Sequence, residues 1–143
     1  MKNIIVLIVT FFFITSCDET KKVIDVAGNV QLSGKYNVTE LGTTTSFEKV
    51  PYISFFALDK TIKGNTGCNS FFGNYALDLY ALTFSDIAST EMACDQPIMD
   101  VENAFVAALN NTGSYEIQNG VLTLFSKTDR SILLKATKET NPN

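Results

Sequence analysis

The 143-residue sequence contains no histidine and no tryptophan, and it has only three prolines and eight glycines. The absence of histidine excludes Ser-His and Cys-His catalytic pairs and histidine-ligated metal sites. Lys and Arg number 11 against 15 Asp and Glu, which gives a formal charge of −4 and none of the basic excess typical of nucleic-acid-binding proteins. Hydrophobic residues make up 45%, too many for a disordered chain. The length indicates one domain, since domains average about 150 residues.

The first segment of the chain has the pattern of a secretory leader. Lys2 is followed by an apolar run over residues 4–14 that is broken only by Thr10. A helix of this length rises about 16 Å, well short of the ~30 Å hydrocarbon core of a bilayer. The run therefore favours a signal peptide over residues 1–16 rather than a spanning helix. A buried strand or core helix at the start of the domain is the alternative.

Residues 14–17, Ile-Thr-Ser-Cys, resemble the lipobox of bacterial lipoproteins, in which an aliphatic residue and two small residues precede a cysteine. The resemblance implies that Cys17 carries a diacylglyceryl group, that cleavage occurs before it and that the new terminus is acylated. Two or more acyl chains anchor a protein stably. We therefore expect a lipid-anchored protein of the bacterial cell envelope, held at the periplasmic or surface face of the outer membrane.

The rest of the chain divides into a tether, one domain and a tail. Residues 17–30 are predicted to be a lipidated tether, because a run of charged residues opens them and Gly28-Asn29 is a turn signal. The domain is predicted to span residues 31–137. Residues 138–143 are polar and are expected to fray.

Short alternating or apolar runs predict a β-rich domain. Strands are predicted at residues 32–39, 52–58, 61–64, 79–84, 114–118, 121–125 and 131–136. The second of these is apolar on both faces, which is typical of a central strand. Asn119-Gly120 predicts a type I′ hairpin turn, because both central residues of that turn need a positive φ.

One amphipathic helix is predicted between the strands. Pro97 suits its first turn, with Asp95 or Gln96 as the cap. Its apolar residues recur at steps of three and four: Ile98, Val101, Phe105, Ala108 and Leu109. Gly113 is expected to end it in a left-handed conformation. The prediction is an α+β domain of about eight mostly antiparallel strands, five before the helix and three after, with this main helix packed across the sheet.

Two cysteines remain once Cys17 is assigned to lipid. Cys68 and Cys94 form an even pair in a chain expected to reach an oxidising compartment, which favours a structural disulfide. Such a bond would close a loop of about 27 residues and contribute on the order of 3.5 kcal/mol. The alternative is two reduced, buried cysteines that pack as small hydrophobes. Their spacing is not a CxxC redox motif, and without histidine they make a poor zinc site.

Two linked motifs carry a family resemblance. Residues 64–75, GNTGCNSFFGNY, resemble the Gly-x-x-Gly-Cys-Asn-x-(aromatic)-x-Gly-x-Tyr signature of the META domain, which is the domain of HslJ-like bacterial heat-shock lipoproteins. Residues 90–94 resemble its Thr-x-Met-Ala-Cys motif. Tyr36 and Glu91 depart from the family pattern, which often has Trp and a basic residue there. The resemblance singles out Gly64, Gly67, Asn69, Gly73, Tyr75, Thr90, Met92 and Glu102.

The residues of these motifs themselves favour a structural role. Glycines permit positive φ or close approach of backbone, and Asn69 can satisfy backbone groups with its short amide. The motif lacks Gly-Lys-Ser/Thr, which excludes a phosphate-binding P-loop. Phe71, Phe72 and Tyr75 are expected to be core and rim aromatics, with the lining of an apolar groove as the alternative.

No enzymatic signature emerges from the sequence, and no cofactor or metal is expected. The acidic residues near the helix match no hydrolase or EF-hand spacing and are expected to cap or to face solvent. They are Asp86, Glu91, Asp95, Asp100 and Glu102. The resemblance implies a non-catalytic envelope lipoprotein that supports tolerance of heat or antibiotic stress, with the membrane as its partner and no nucleic acid.

A binding module is the alternative function. META domains are similar in fold to secretion pilotins, whose cracked barrel takes an acyl chain or a partner peptide. In that case an apolar groove would hold a hydrophobic ligand or a protein of the envelope.

Overall fold

The computed structural model describes residues 18–140, so the predictions for residues 1–16, for Cys17 and for residues 141–143 lie outside the described part. Eight antiparallel strands form one closed barrel in sequence order, and the last strand returns to pair with the first. The elements are α1 (Asp18–Leu32), β1 (Gly34–Leu41), β2 (Tyr52–Phe56), β3 (Thr61–Asn65), β4 (Ser70–Asp78), β5 (Ala81–Ser89), α2 (Gln96–Asn111), β6 (Thr112–Gln118), β7 (Val121–Ser126) and β8 (Ile132–Lys138). The predicted α+β fold is confirmed, with five strands before the main helix and three after it.

The up-and-down strand order places the connections alternately at the two ends of the barrel. Helix α1 enters β1 at one end, which also carries the β2–β3, β4–β5 and β6–β7 turns; we call it the α1 end. The opposite end carries the β1–β2, β3–β4 and β7–β8 connections and helix α2, and we call it the α2 end. The barrel therefore has a helix at each end.

Alternate residues of each strand fill the barrel interior. Strand β4 shows the pattern most regularly, with exposed and buried residues alternating over all nine positions. Aromatic rings pack edge to face at the centre: Phe55 lies 5.9 Å from Tyr36 and 5.4 Å from Tyr75, measured between ring centroids. From α2, the fully buried Phe105 reaches Phe71, with 5.2 Å between ring centroids. Side chains thus occupy the interior and join α2 to the sheet.

Three predicted local conformations lie within the described residues. Asn119 and Gly120 have φ values of 52° and 78°, so the positive-φ hairpin turn is confirmed. Helix α2 begins as predicted, with Asp95 at the cap and Pro97 in the first turn, although the Asp95 side chain makes no capping hydrogen bond. The prediction for Gly113 is wrong, because α2 ends at an extended Thr112 and Gly113 already belongs to β6.

The structure of residues 18–32 differs from the predicted tether. They form α1, in which Leu32 is fully buried and Gly28 continues the helix instead of making a turn. Two polar contacts join α1 to the β4–β5 hairpin. The Lys21 ammonium lies 2.8 Å from the Asp78 carboxylate, and the backbone N–H of Leu79 donates to Asp25 at 3.0 Å. The segment therefore packs against the barrel.

Several strand limits also differ from prediction. Strand β2 stops at Phe56 and buries one face only, because Phe56 is 43% exposed and Leu58 is 98% exposed. The sequence patterns predict no strand over the range of β4. At the C-terminus, β8 continues to Lys138, and the Glu139 N–H donates to Lys35 O at 2.8 Å, so the barrel extends past residue 137. Within residues 18–140, neither helix combines the length and the apolar character needed to cross a bilayer.

Candidate functional site

The two motifs meet at the α2 end of the barrel. The first motif runs through β3, the β3–β4 turn and β4, and the second follows β5 directly. Helix α2 lies beside both and contributes Glu102, which is only 9% exposed. Sequence positions separated by more than 30 residues thus come together in one buried polar cluster, defined as Thr66, Asn69, Thr90, Glu102 and the backbone of Met92.

Asn69 is the centre of the polar cluster. Its side-chain oxygen accepts hydrogen bonds from Thr90 Oγ1 at 2.7 Å and from the backbone N–H of Met92 at 2.8 Å. Its Nδ2 donates to the Met92 carbonyl at 3.1 Å and to both carboxylate oxygens of Glu102, at 3.1 and 3.0 Å. The side chain is 1% exposed, and all of its polar atoms are paired. Asn69 therefore ties the second motif and α2 to the β3–β4 turn.

The Glu102 carboxylate receives two further hydrogen bonds. Thr66 Oγ1 donates to Oε2 at 2.6 Å, and the backbone N–H of Asn69 donates to the same oxygen at 3.2 Å. Thr66 is fully buried, and its backbone N–H also donates to the Asn69 carbonyl at 2.8 Å. Across the described residues no Lys or Arg forms a salt bridge with Glu102. Neutral donors alone surround this carboxylate.

A disulfide closes the same region. Cys68 and Cys94 are bonded, with their Cα atoms 6.0 Å apart. This agrees with the disulfide interpretation of the sequence and not with the reduced pair. The bond fixes the β3–β4 turn to the residue before the cap of α2, which is the connection that Asn69 makes with hydrogen bonds. The two linkages reinforce each other.

Three motif glycines have separate structural reasons. Gly64 lies so close to the Tyr52 carbonyl and to the Phe71 ring that no side chain fits. Gly67 has a φ of +101°, a conformation that L residues rarely adopt. At Gly73, an added Cβ would come within 3.0 Å of the Ser85 carbonyl. Close approach and turn geometry account for all three.

The remaining motif side chains lie outside the polar cluster. Met92 contributes only its backbone, and its side chain is 58% exposed. Tyr75 points into the barrel, where its ring packs on Phe55 and its buried hydroxyl has no hydrogen-bond partner among residues 18–140. Burial raises the pKa of Tyr75, with the neighbouring Tyr115 as a second cause. The structure thus separates Tyr75 from Asn69 and Glu102.

The cluster has the chemistry of a clamp rather than of a reaction centre. Its donors and acceptors are directed at one another, as is usual for buried polar groups. Among residues 18–140, no group of three or more Cys, Asp and Glu could hold a metal ion. The other acidic candidates are dispersed: Asp86 accepts from Asn74 at 3.0 Å, and Asp100 accepts from Gln96 at 2.8 Å.

Open grooves lie on the surface of the described residues. One, of about 740 Å³, runs over the outside of β2, β3 and β4, and we call it the outer groove. Its aromatic wall includes Phe56 and Phe72, which are 43% and 61% exposed. The Lys63 ammonium lies 5.7 Å from the centre of the Phe56 ring. A second groove of about 340 Å³ separates the β1–β2 connection from α2.

Sequence reasoning identified some of these features and missed others. Phe71 and Tyr75 are core residues as predicted, whereas Phe72 points outward into the outer groove. Thr66 was missed because it occupies an unspecified position of the motif. Its signal lies in the chemistry of the turn, since a Thr three residues before Asn69 can cap that turn with its hydroxyl. The Asn69 N–H donates such a bond to Thr66 Oγ1, at 3.0 Å.

Comparison with solved structures finds four chains of similar fold, three of which are as follows. An NMR structure of a protein from Burkholderia xenovorans is 21% identical, with a TM-score of 0.61 over 81% of this chain and 89% of that one. A second protein, also solved by NMR, is 23% identical, with a TM-score of 0.63 over 77% and 93%. A crystal structure of a DUF4847 family protein from Bacteroides vulgatus is 16% identical, with a TM-score of 0.60 over 80% and 99%.

These likenesses concern the fold alone, because all three identities are below 25%. No curated protein matches the chain. The sequence model of the META domain, however, matches residues 29–139, which include every strand, helix α2 and both motifs. The chain belongs to the META domain family.

Proposed function

We propose that this chain is a lipid-anchored lipoprotein of the bacterial envelope whose META domain acts without catalysis and supports tolerance of heat or antibiotic stress. The observation that carries the envelope assignment is the disulfide between the two motif cysteines. Structural disulfides persist in oxidising compartments and are rare in the cytosol. The apolar leader over residues 4–14 and the lipobox ending at Cys17 support the same compartment.

The polar cluster supports a non-catalytic role. An active site needs at least one polar group that is free to meet a substrate, and usually a nucleophile or base whose pKa is tuned for reaction. The side chains of Asn69 and Glu102 are instead hydrogen-bonded to each other and to neighbouring loops. The motif residues therefore stabilise the domain. Its function would then depend on its attachment to the membrane and on the molecules that its surface contacts.

The anchor is tested by the intact mass of the protein extracted from membranes, with and without reductant. The expected mass is that of the chain from Cys17 onward plus three acyl chains, with no thiol available for alkylation before reduction. A Cys17→Ser variant is the matched control and should stay uncleaved and unlipidated. An uncleaved wild-type chain, or one with two free thiols, would contradict the envelope assignment.

The stress role is tested separately by gene deletion. The deletion strain should grow more slowly than its parent after heat challenge or in a hydrophobic antibiotic. Wild-type protein should restore growth, and Cys17→Ser should not, because the domain would no longer be held at the membrane. Identical growth of deletion strain and parent under both challenges would count against this role.

A second candidate function is suggested by the outer groove. A groove of about 740 Å³ with exposed Phe56 and Phe72 is large enough for an acyl chain or an extended peptide. Because side chains fill the barrel interior, such a ligand would lie on the outside of the sheet rather than within it. Native mass spectrometry for co-purified lipid, followed by fatty-acid titration, tests this candidate.

A matched pair of substitutions sharpens that test. Phe72→Ser removes an aromatic wall of the outer groove and should reduce uptake at least severalfold. Tyr80→Ser removes an aromatic ring that is 76% exposed but lies at the α1 end, away from the groove, and should not change uptake. Lipid-free protein that takes up no fatty acid would exclude the binding-module alternative for this class of ligand.

A further inference from the structure

Helix α1 presents an apolar stripe to solvent. Val23, Val26 and Val30 recur at steps of three and four, which places them on one face of a helix. They are 68%, 62% and 65% exposed. Leu32 lies about 200° around the helix from Val30 and is fully buried against the barrel. The helix thus packs on the barrel by one face and leaves its more apolar face uncovered.

Other large apolar side chains are exposed at the same end of the barrel. Leu58, in the β2–β3 turn, is 98% exposed, and Tyr80, in the β4–β5 turn, is 76% exposed. Both turns lie at the α1 end. A tyrosine with an exposed ring and hydroxyl suits the boundary between hydrocarbon and water. Leu58 and Tyr80 therefore expose further apolar surface at the end of the barrel that carries the stripe.

The position of this surface in the chain indicates what covers it. Cys17, the residue of the proposed lipid anchor, directly precedes the first residue of α1. Acyl chains on Cys17 would hold the start of α1 at the bilayer surface. The helix is only about 22 Å long, so its entire apolar stripe would stay within reach of that surface.

We infer that α1 is an interfacial helix that lays the α1 end of the barrel on the bilayer, with Val23, Val26 and Val30 at the boundary of headgroups and acyl chains. The inference rests on the proposed lipid anchor at Cys17. Amphipathic helices bind membranes in this way through an apolar face of such residues. The area that three valines can bury is small compared with the roughly 800 Å² that each partner buries in a standard protein interface. This difference favours lipid over a second copy of the chain as the partner of the stripe.

Contacts between α1 and the barrel mean that docking of the helix would also orient the domain. Lys21 pairs with Asp78, Asp25 accepts the Leu79 N–H and Leu32 is fully buried, and together these contacts couple the helix to the barrel. An anchored α1 would therefore fix the orientation of the whole domain and direct the α2 end away from the membrane. The charged residues of α1 include both signs, so docking should not require anionic lipid.

The absence of tryptophan from the natural sequence makes a direct test possible. Val26→Trp places one indole in the stripe, and Val50→Trp places one at the α2 end, where Val50 is 54% exposed. Each lipidated full-length variant is reconstituted into phosphatidylcholine vesicles with and without brominated lipid. For Val26→Trp we expect blue-shifted emission, severalfold weaker quenching by acrylamide and strong quenching by brominated lipid. For Val50→Trp we expect none of these changes.

Each alternative outcome has a distinct meaning. If mass spectrometry finds acyl chains on Cys17 but both indoles are equally open to acrylamide, docking of α1 is wrong and the anchor stands. If Cys17 carries no lipid, the anchor and this inference fail together. If Val26→Trp is shielded from acrylamide but untouched by brominated lipid, a second copy of the chain covers the stripe and the inference is overturned.

A second variant separates insertion from mere proximity. Adding Val23→Ser and Val30→Ser to the Val26→Trp protein removes the neighbours that would hold the stripe in lipid. Acrylamide quenching should then rise toward the value for Val50→Trp, while far-ultraviolet circular dichroism stays unchanged. Continued protection by lipid in this variant would overturn the role of the valine stripe.

Discussion

The side-chain amide of Asn69 contacts both carboxylate oxygens of Glu102, at 3.1 and 3.0 Å, and so joins the β3–β4 turn to the middle of α2. Both residues are buried, and the bond spans 33 positions of sequence. Compared with an apolar pair of similar size, a buried polar pair of this kind adds little to the free energy of unfolding. Removing one partner, however, lowers that free energy strongly, because the other partner is left buried without a hydrogen bond. The pair therefore defines how the helix sits on the barrel.

The cost of breaking this contact is the first prediction. Glu102→Ala deprives Thr66 Oγ1 and Asn69 Nδ2 of their shared acceptor and should lower the free energy of unfolding by about 2–4 kcal/mol. Glu102→Gln keeps one oxygen as an acceptor but replaces the other with an NH₂ group, which would face a hydrogen-bond donor of the polar cluster. We therefore expect about half of that loss. Urea unfolding measures both. Glu116→Gln, at an exposed position, is the matched control.

Equal stability of Glu102→Ala and wild type would mean that the polar cluster does not hold α2. A loss confined to activity in cells, with no change in unfolding, would point to a binding role for Glu102 instead. The comparison thus also tests the non-catalytic proposal.

The disulfide between Cys68 and Cys94 supplies the second prediction. The bond closes a loop across 26 positions, so the Cys68→Ser/Cys94→Ser protein should lose about 3.5 kcal/mol in the chain-entropy account. Thermal unfolding of wild type with reductant should approach the transition of this variant. If reductant lowers the wild-type midpoint but leaves the variant unchanged, the effect belongs to the disulfide. An identical midpoint with and without reductant would contradict it.

Much of the fold could be predicted because its signals are local. The period of α2, the Asn119-Gly120 turn and the alternation in β1 each depend on neighbours within a few residues. Helix α1 is not predicted, because the face that it turns to the barrel includes Asn29 and Gly28, while its valines are exposed to solvent. The hydrophobic pattern was present, but it marks the side of the helix turned away from the barrel.

The candidate site was only partly predictable, for a different reason. The motifs singled out Asn69, Thr90 and Glu102, and the structure brings the three together. The expectation that Glu102 caps the helix or faces solvent is wrong, because its carboxylate is buried against the β3–β4 turn. The hydrogen bonds among these residues depend on how β4, β5 and α2 are placed in space. Thr66 was missed, although it donates the shortest hydrogen bond to Glu102, at 2.6 Å. Residue type and spacing identify members of such a cluster without giving the connections between them.

Gly64 supplies the third prediction. Its neighbours are the Tyr52 carbonyl and the Phe71 ring, so Gly64→Ala forces an atom into closely packed backbone. We expect a loss of about 3 kcal/mol or more, because overpacking here cannot be relieved by a flexible side chain. Gly42→Ala is the control, since that site has open space and a φ of +57° and should cost only about 1 kcal/mol. Comparable losses for the two variants would show that close approach at Gly64 is unimportant.

Alkaline pH tests the barrel interior and gives the last prediction. Burial raises the pKa of Tyr36 from 10.0 to about 12, and the neighbouring Tyr115 adds to the shift. Between these two values the folded chain keeps a proton that the unfolded chain has lost, so the free energy of unfolding must fall as pH rises through this window. The protonated Tyr36 hydroxyl makes its full contribution to the free energy of unfolding below the pKa of the unfolded chain. Complete loss of that contribution at high pH amounts to about 2–3 kcal/mol.

Tyr36→Phe removes the ionisable group and the 3.3 Å hydrogen bond from its hydroxyl to the Gln31 carbonyl. At neutral pH the variant should be less stable than wild type by about 1 kcal/mol, the value of one such bond. As pH rises toward 12 the variant should lose less stability than wild type, and because the wild-type loss of about 2–3 kcal/mol exceeds this deficit, the two curves should cross. Urea unfolding across this range, with tyrosinate absorbance recorded in parallel, measures both effects. Parallel curves would mean that Tyr36 ionises as readily in the folded barrel as in the unfolded chain, which its full burial beside Phe55 argues against.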